Sequence, residues 1–308
     1  MKHREESKSV TLEIGDVSLN KNLGSYYIDM RPAIVNYTSN IYNGEFDKNG
    51  VPMIQDSEGN LAYYPVNVAQ YGFMQHAEYL SSKKEESLNT LRACVAKLID
   101  LKTEYKGTFV WLHQSKDENY NIPAPWASAM AQGEVMSLLL RFYQISNDEI
   151  HLEVAQKAYQ FLQIENDPQC VRRKDENGFL WFEEYPSSPP SYVLNGFIYT
   201  VFGLYDLYRV TQDPTVKADL DSCLKTLKAN IHKYDAGYWS YYDQLKKELV
   251  RYYYQKNVHV LQLRVLHKLT DEPVFDKYAK KWAKTLTPFH KVFVQIMYRV
   301  LPRWRKLK

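Results

Sequence analysis

The sequence predicts a mainly α-helical fold, an incomplete (α/α) toroid of helical hairpins preceded by a short irregular and β-stranded segment. Three observations predict it. From Pro65 onward, apolar residues recur at the spacing of a helix with one buried face. The recurrences come in pairs, the first helix of each pair more apolar than the second. The pairs return with a period of roughly sixty residues, which belongs to a repeat array rather than a four-helix bundle.

Residues 1–60 are punctuated by Gly24, Gly44, Asn49-Gly50 and Gly59-Asn60, which mark turns between short strands packed on the body. Val66, Ala69, Phe73, Ala77 and Leu80 then begin the first hairpin, and Leu88, Leu91, Val95, Leu98 and Ile99 return it. The second hairpin joins 129–145 to 152–162 across Asn147-Asp148. The third joins 193–210 to 216–231 across Asp213-Pro214. The fourth joins 258–269 to 274–286 across Asp271-Glu272-Pro273. Asn, Asp and Pro are the residues that stop and start helices. The apolar first helices are expected to form an inner ring and the charged second helices to face solvent. Gly72, Gly133 and Gly196 sit early in three inner helices, where glycine costs about 1 kcal/mol relative to Ala. Close helix approach or room for a cleft would offset that cost. The connecting segments 103–128, 166–192 and 232–257 are too long for simple linkers and are the expected seat of a site. The catalytic body spans 61–290, followed by a basic tail at 291–308.

Composition excludes several classes. Hydrophobic residues at 45% and charged residues at 24% belong to an ordinary globular protein. A formal charge of +3, with no Arg/Lys block interleaved with aromatics in the body, argues against nucleic acid. Cys94, Cys170 and Cys223 are scattered, with no CxxC pair and no His at zinc-ligand spacing. That pattern predicts neither a disulfide framework nor a structural metal, and suits a reducing, cytoplasmic compartment. The first residues are not followed by the apolar stretch of a secretory signal. No uncharged run of about 18 residues predicts a membrane span. The tail joins an apolar run, Val292 to Met297, to Arg299, Arg303, Arg305, Lys306 and Lys308. It reads as a helix docked on the body with a solvated basic end; peripheral contact with an anionic membrane is the alternative.

Three segments could carry chemistry. The first is Trp181-Phe182-Glu183-Glu184-Tyr185-Pro186, two carboxylates crowded by aromatics and fixed by prolines. Desolvation there would raise a carboxylate pKa into the range of a useful base. The second runs from Tyr234 through Tyr242-Asp243 to Arg251-Tyr252-Tyr253-Tyr254 and His259. An Arg beside phenols can hold a substrate carboxylate while the phenols, with a reference pKa near 10, serve as proton donors. The third leads into the second inner helix and offers Trp126 as a stacking platform and Gln132 as a hydroxyl ligand. The 26 tyrosines against 12 phenylalanines suit a cleft that holds sugars, or helix interfaces lined with rings. No GxGxxG, P-loop, HExxH or GxSxG motif is present.

Six stretches carry a resemblance: residues 64–72 (through Ala69-Gln70-Tyr71-Gly72), Ser128-Ala129-Met130-Ala131-Gln132-Gly133, Phe182-Glu183-Glu184-Tyr185-Pro186, Val193-Leu194-Asn195-Gly196-Phe197, Gly203-Leu204-Tyr205-Asp206-Leu207 and Tyr242-Asp243. In this order, across about residues 60–285, they resemble the C-terminal catalytic domain of the D-glucuronyl C5-epimerase family, which converts glucuronic to iduronic acid in heparan sulfate and heparosan. The resemblance implies an (α/α) toroid, in agreement with the hairpin reading. It implies catalytic roles for Glu184, Tyr185, Tyr242 and Tyr254. Arg251, Glu183, Trp126, Gln132, Asn195 and His259 are the expected substrate-binding set. The spacing from Tyr254 to His259 departs from the family pattern by one residue, which makes Tyr253 a neighbouring candidate. The animal enzymes carry a β-rich domain between the AQYG segment and the helical repeats; here Tyr71-Gly72-Phe73 runs directly into the first hairpin. A heparosan-like polymer therefore does not follow from the resemblance.

Epimerisation at C5 needs a proton removed beside a carboxylate and another returned on the opposite face. The expected base is Glu184, or Glu183, with Tyr254 across the ring and Arg251 on the carboxylate. The resemblance implies no redox cofactor. The expected partner is a uronic-acid-containing polysaccharide or lipid-linked oligosaccharide, and a homodimer is compatible with the sequence. The competing readings are a polysaccharide lyase or hydrolase on the same toroid and a non-catalytic glycan-binding module.

Overall fold

The computed structural model describes residues 10–38, 42–56 and 59–305, the side chains at 38 and 298–305 excepted. Strand β1 (Glu13–Ile14) pairs antiparallel with β2 (Ile28–Asp29). One helical turn, α1 (Val35–Thr38), precedes a three-stranded antiparallel sheet of β3 (Gly44–Phe46), β4 (Pro52–Gln55) and β5 (Leu61–Ala62). The first hairpin is α2 (Pro65–Ser82) and α3 (Glu85–Leu101). Its link to the second holds two antiparallel pairs, β6 (Thr103–Tyr105) with β7 (Thr108–Val110) and β8 (Leu112–His113) with β9 (Trp126–Ala127). Helices α4 (Ala129–Ser146) and α5 (Glu149–Leu162) follow, then the pair β10 (Arg172–Lys174) and β11 (Leu180–Phe182). The third hairpin is α6 (Leu194–Thr211) and α7 (Pro214–Asn230). A single turn α8 (Tyr252–Tyr254) and a π-helical turn, Gln255–His259, lead into α9 (Val260–Thr270) and α10 (Pro273–Lys284). Helix α11 (Pro288–Arg305) comes last.

Each inner helix ends by the same device. Lys83, Asn147, Gln212 and Asp271 adopt the left-handed conformation just past α2, α4, α6 and α9. Each gives its N–H to the carbonyl four residues back, satisfying an end that would otherwise lie open. Asp148 and Asp213 then cap the returning helices, accepting from the N–H of Ile150 and Thr215 at 3.1 and 2.7 Å. The breaks read from the sequence are therefore made by the residues that predicted them.

The inner helices pack on one another, α2 on α4 and α4 on α6. Glycine sets the spacing between α4 and α6. A Cβ built on Gly133 would lie 2.6 Å from the Thr200 Cα, and one on Gly203 would lie 2.6 Å from the Gly133 Cα. The four hairpins leave the ring open, and the amino-terminal segment bridges it, β1 lying on α9 and β2 on α2. Asn257 fixes the strap by accepting from the Leu12 N–H at 2.9 Å and donating to the Val10 carbonyl at 3.1 Å.

Two features differ from expectation. The fourth inner helix is expected to begin at 258, but helical structure starts at Tyr252 and passes through a π-helical turn, which shifts the register of its side chains. The basic tail is expected from 291, yet α11 begins at Pro288, so the boundary falls inside a continuous helix. Val294 docks it against Trp239, Leu249 and Val250. The side chains of Arg299, Arg303 and Arg305, with Lys306 and Lys308, lie outside the described residues.

Candidate active site

The connecting segments meet over the amino-terminal ends of the inner helices. Strand β11 sends Trp181 and Phe182 into the core. Glu183, next in line, gives its N–H to the Val171 carbonyl at 2.7 Å and accepts the Ala129 N–H at 3.0 Å, which ties the strand to the start of α4. The chain then delivers Glu184 onto the first turn of α6. A Cβ on Gly196 would stand 2.1 Å from Glu184 Oε2, so glycine is what makes room for the carboxyl group. The carbonyl of Tyr242 accepts the Leu194 N–H at 3.1 Å, which anchors the second segment on the same turn.

Glu184 is buried, and its hydrogen-bond partners are neutral. Its Oε1 accepts from the Tyr242 hydroxyl at 3.2 Å and its Oε2 from Asn195 Nδ2 at 3.3 Å. Burial pushes the carboxyl pKa up to about 8, while hydrogen bonds from Tyr242 and Tyr185 pull the other way. The Tyr185 ring lies 4.8 Å from Tyr120 and 5.4 Å from Trp126, centroid to centroid. Tyr254 meets Tyr242 edge-on at 5.9 Å and His259 at 6.3 Å. Burial, then the nearby Glu184, raises the phenols of Tyr185 and Tyr242 well above their ordinary value, so both hold their protons. His259 is neutral: burial pushes it down to about 3. Its Nδ1 lies 2.8 Å from Ser240 Oγ, and that hydroxyl donates to Gln255.

Tyr185, Tyr242 and Asn195 thus come together around the Glu184 carboxyl group, with Tyr254 against Tyr242 and His259 beyond Tyr254. Tyr254 contacts Tyr242 and His259, and both Tyr253 and Tyr254 also pack against the main core. Arg251 opens the turn that carries Tyr254 and accepts the Gln255 N–H at 2.9 Å. Three expected ligands are engaged within the fold. The Gln132 amide is spent on backbone, accepting from Trp111 N–H at 3.0 Å and donating to the carbonyls of Phe109 and Ala158 at 3.0 and 3.2 Å. It locks the β6–β7 hairpin to the helices and does not face a cleft. Glu183 accepts from Ser191 Oγ at 2.8 Å and the Tyr192 N–H at 3.1 Å, so it braces the 185–191 loop. Trp126 is buried with His113 stacked at 4.1 Å, which makes it a wall behind Tyr185 rather than an open platform.

Other residues at the site went unread. Tyr120 donates to Asp243 at 2.7 Å, and Asp243 accepts the Lys247 N–H at 3.1 Å, folding the 243–247 loop. Asp243 had a signal, its place after Tyr242; Tyr120 had none. Glu134 is buried on α4 and accepts from Gln70 Nε2 on α2 at 3.0 Å. Burial raises its carboxyl well above the ordinary range, and Glu184 adds to the effect. A charged residue immediately after Gly133 on an apolar helix was its only mark.

Comparison with known proteins shows what the chain is similar to. Residues 103–284 match the family described as D-glucuronyl C5-epimerase C-terminus. The chain is 29% identical over 236 residues to a D-glucuronyl C5-epimerase of Caenorhabditis elegans, covering 70% of this chain and 38% of that protein. It is 31% identical over 176 residues to an uncharacterized protein of Methanocaldococcus jannaschii, 56% of each. The chain therefore spans about half or less of the curated relatives it matches. A GH76 α-mannanase from Bacteroides thetaiotaomicron superposes with a TM-score of 0.53 at 10% identity, over 81% of this chain and 64% of that one. That likeness concerns the fold alone, an (α/α) toroid. With the family model matching more than half of its length, the chain belongs to the D-glucuronyl C5-epimerase C-terminus family.

Proposed function

We propose that the protein is a uronic-acid C5-epimerase, which removes the C5 proton of a D-glucuronyl residue and returns one on the opposite face to give L-iduronyl. The observation that carries this reading is the Glu184 carboxyl, buried beneath tyrosines and poised near neutral pH. A base for a carbon acid needs a raised pKa and a dry setting. In its ionised form Glu184 takes the C5 proton. Tyr254 supplies a proton from the other face. Charge grows on the substrate carboxylate as the enolate forms, and donors aimed there lower the barrier. Tyr185 and Tyr242 serve as those donors because their phenols stay protonated. Arg251, at the head of the Tyr254 turn, supplies the cation.

The substrate class is a uronic-acid-containing polysaccharide or a lipid-linked oligosaccharide, and the role belongs to polysaccharide biosynthesis. Three free cysteines support a cytoplasmic setting. The test is exchange: glucuronic-acid oligosaccharides incubated with the protein in deuterium oxide gain deuterium at C5, read by NMR. Absence of deuterium across uronic-acid substrates overturns the reading. Growth of an unsaturated-uronate absorbance reassigns the chain to a lyase.

A further inference from the structure

Helix α11 is held by one face and leaves the other open. Val294 is 1% exposed and packs with Phe293 and Met297 against Trp239, Leu249 and Val250. His290 stacks over Trp239 at 6.3 Å, and the Lys291 ammonium sits 5.4 Å from the Tyr252 ring. On the same helix Phe289, Val292 and Ile296 are 72%, 56% and 52% exposed. Their spacing of three and four residues puts them in one stripe. Three large apolar side chains in a row on a helix are more than scattered surface hydrophobics.

The charge around this stripe is of one sign. From Thr285 to the carboxyl terminus there are six Lys and Arg residues (Lys291, Arg299, Arg303, Arg305, Lys306 and Lys308) and no Asp or Glu. Tyr298 and Trp304 fall in the same stretch. The family match ends at residue 284, so the helix lies beyond it. Among the described residues no helix is long and apolar enough to cross a membrane.

We propose that α11 is an interfacial helix that rests on an anionic membrane surface. Phe289, Val292 and Ile296 enter the boundary between headgroups and acyl chains, and the basic residues meet the anionic headgroups. Charge decides against a second copy of the chain as the occupant. An anionic surface answers the six like charges of this stretch, whereas a second copy only repeats them. The placement has a consequence for the site, which rests on the epimerase reading. The cluster that docks α11 also includes Tyr242 and Tyr254, so the helix that meets the bilayer packs on two tyrosines of the proposed site. A glycan carried on a lipid would be presented there.

The test uses the full chain and vesicles, and does not depend on any catalytic activity. The protein is sedimented with phosphatidylcholine vesicles and with vesicles holding about one third phosphatidylglycerol. Binding is expected to the anionic vesicles only and to fall as salt rises. The variant Phe289→Ser/Val292→Ser/Ile296→Ser is expected to bind about tenfold more weakly or worse, with the melting temperature unchanged because these side chains are exposed. Arg299→Gln/Arg303→Gln is expected to flatten the salt dependence. Failure of the unaltered chain to bind anionic vesicles at low salt overturns the proposal, as does full binding by the triple serine variant. So does a concentration-dependent dimer that the triple variant abolishes without any vesicle binding.

Discussion

Helices α4 and α6 bury acidic groups near both ends, and the two ends treat them differently. Toward the carboxyl ends, Asp206 accepts from Arg141 Nη1 at 2.5 Å, Tyr27 at 2.7 Å and Arg209 Nη1 at 3.4 Å. Arg141 spends its remaining donors on the carbonyls of Ser137 and Gly24, at 3.0 and 3.1 Å. At the amino ends, Glu184 is met by phenols and an amide. A buried carboxylate stays ionised when opposite charge and hydrogen bonds compensate its lost hydration; with neutral donors alone it tends to keep its proton. The first end is therefore an anchor for the ring and its amino-terminal strap. The second stores a proton-transfer group.

The largest effect is expected from breaking the anchor. Asp206→Ala leaves two guanidinium groups buried without their carboxylate, a change that costs about 3–5 kcal/mol. Thermal denaturation should show a fall of roughly 10 °C in Tm. Activity per folded molecule should survive. Loss of activity in a variant of normal Tm would mean that the two ends are not separate in function.

Next comes the carboxyl group itself. Glu184→Gln is expected to lower kcat/KM by about 10²–10⁴-fold, the usual weight of a general base. Stability should respond in the opposite sense to that of the anchor variant. The folded pKa of about 8 lies above the ordinary 4.5, so the folded protein binds the proton more tightly than the unfolded chain. That contribution is fully present below about pH 4.5 and is lost as pH rises through about 8, amounting to a few kcal/mol at most. Glutamine cannot ionise, so the variant should lose less stability than the parent across that window. Melting temperatures of both proteins from pH 5 to 9 check this, and parallel curves would count against a raised pKa at Glu184.

Tyr242→Phe is a smaller perturbation of the same group. It removes the 3.2 Å hydrogen bond that favours the ionised carboxylate, and a donor to the developing enolate. A loss of about 10- to 100-fold in kcat/KM at pH 7 is expected, from a charge-assisted hydrogen bond. The pH midpoint of kcat/KM should also move up. A rate loss without that move would place Tyr242 on the substrate alone.

How much of this was legible in the sequence follows from the range of each signal. The hairpins were readable because their period is local and their stop and start residues act within one turn, as Asn147 and Asp148 do. The anchor was only half readable: Asp206 lies in a recognisable stretch, but Arg141 is 65 residues away and Tyr27 is 179. Burial of Gln132 was unreadable because a helix start says nothing about which carbonyls its side chain will meet. The choice between Glu183 and Glu184 could have been narrowed. On extended backbone adjacent side chains point to opposite faces, so two neighbouring carboxylates seldom share one task. The π-helical turn beneath Tyr254 has no sequence signature, and it accompanies the one-residue departure in the spacing to His259.

The finest test of the comparison is Asn195→Ala. Its Nδ2 gives Glu184 a hydrogen bond of 3.3 Å and touches Met130 Sδ at 3.9 Å. Losing that donor disfavours the ionised carboxylate, so the Glu184 pKa should climb by up to about one unit. Activity at pH 7 should then fall by about tenfold or less, and recover as pH is raised past the new midpoint. The recovery separates a positioning role from a substrate-binding one. A residue that held the sugar would raise KM by the same factor at every pH, whereas Asn195 acting through Glu184 shifts the profile and leaves its high-pH plateau near that of the parent. A full rate–pH profile of kcat/KM for the two proteins, run with the substrate that passes the deuterium test, decides between them.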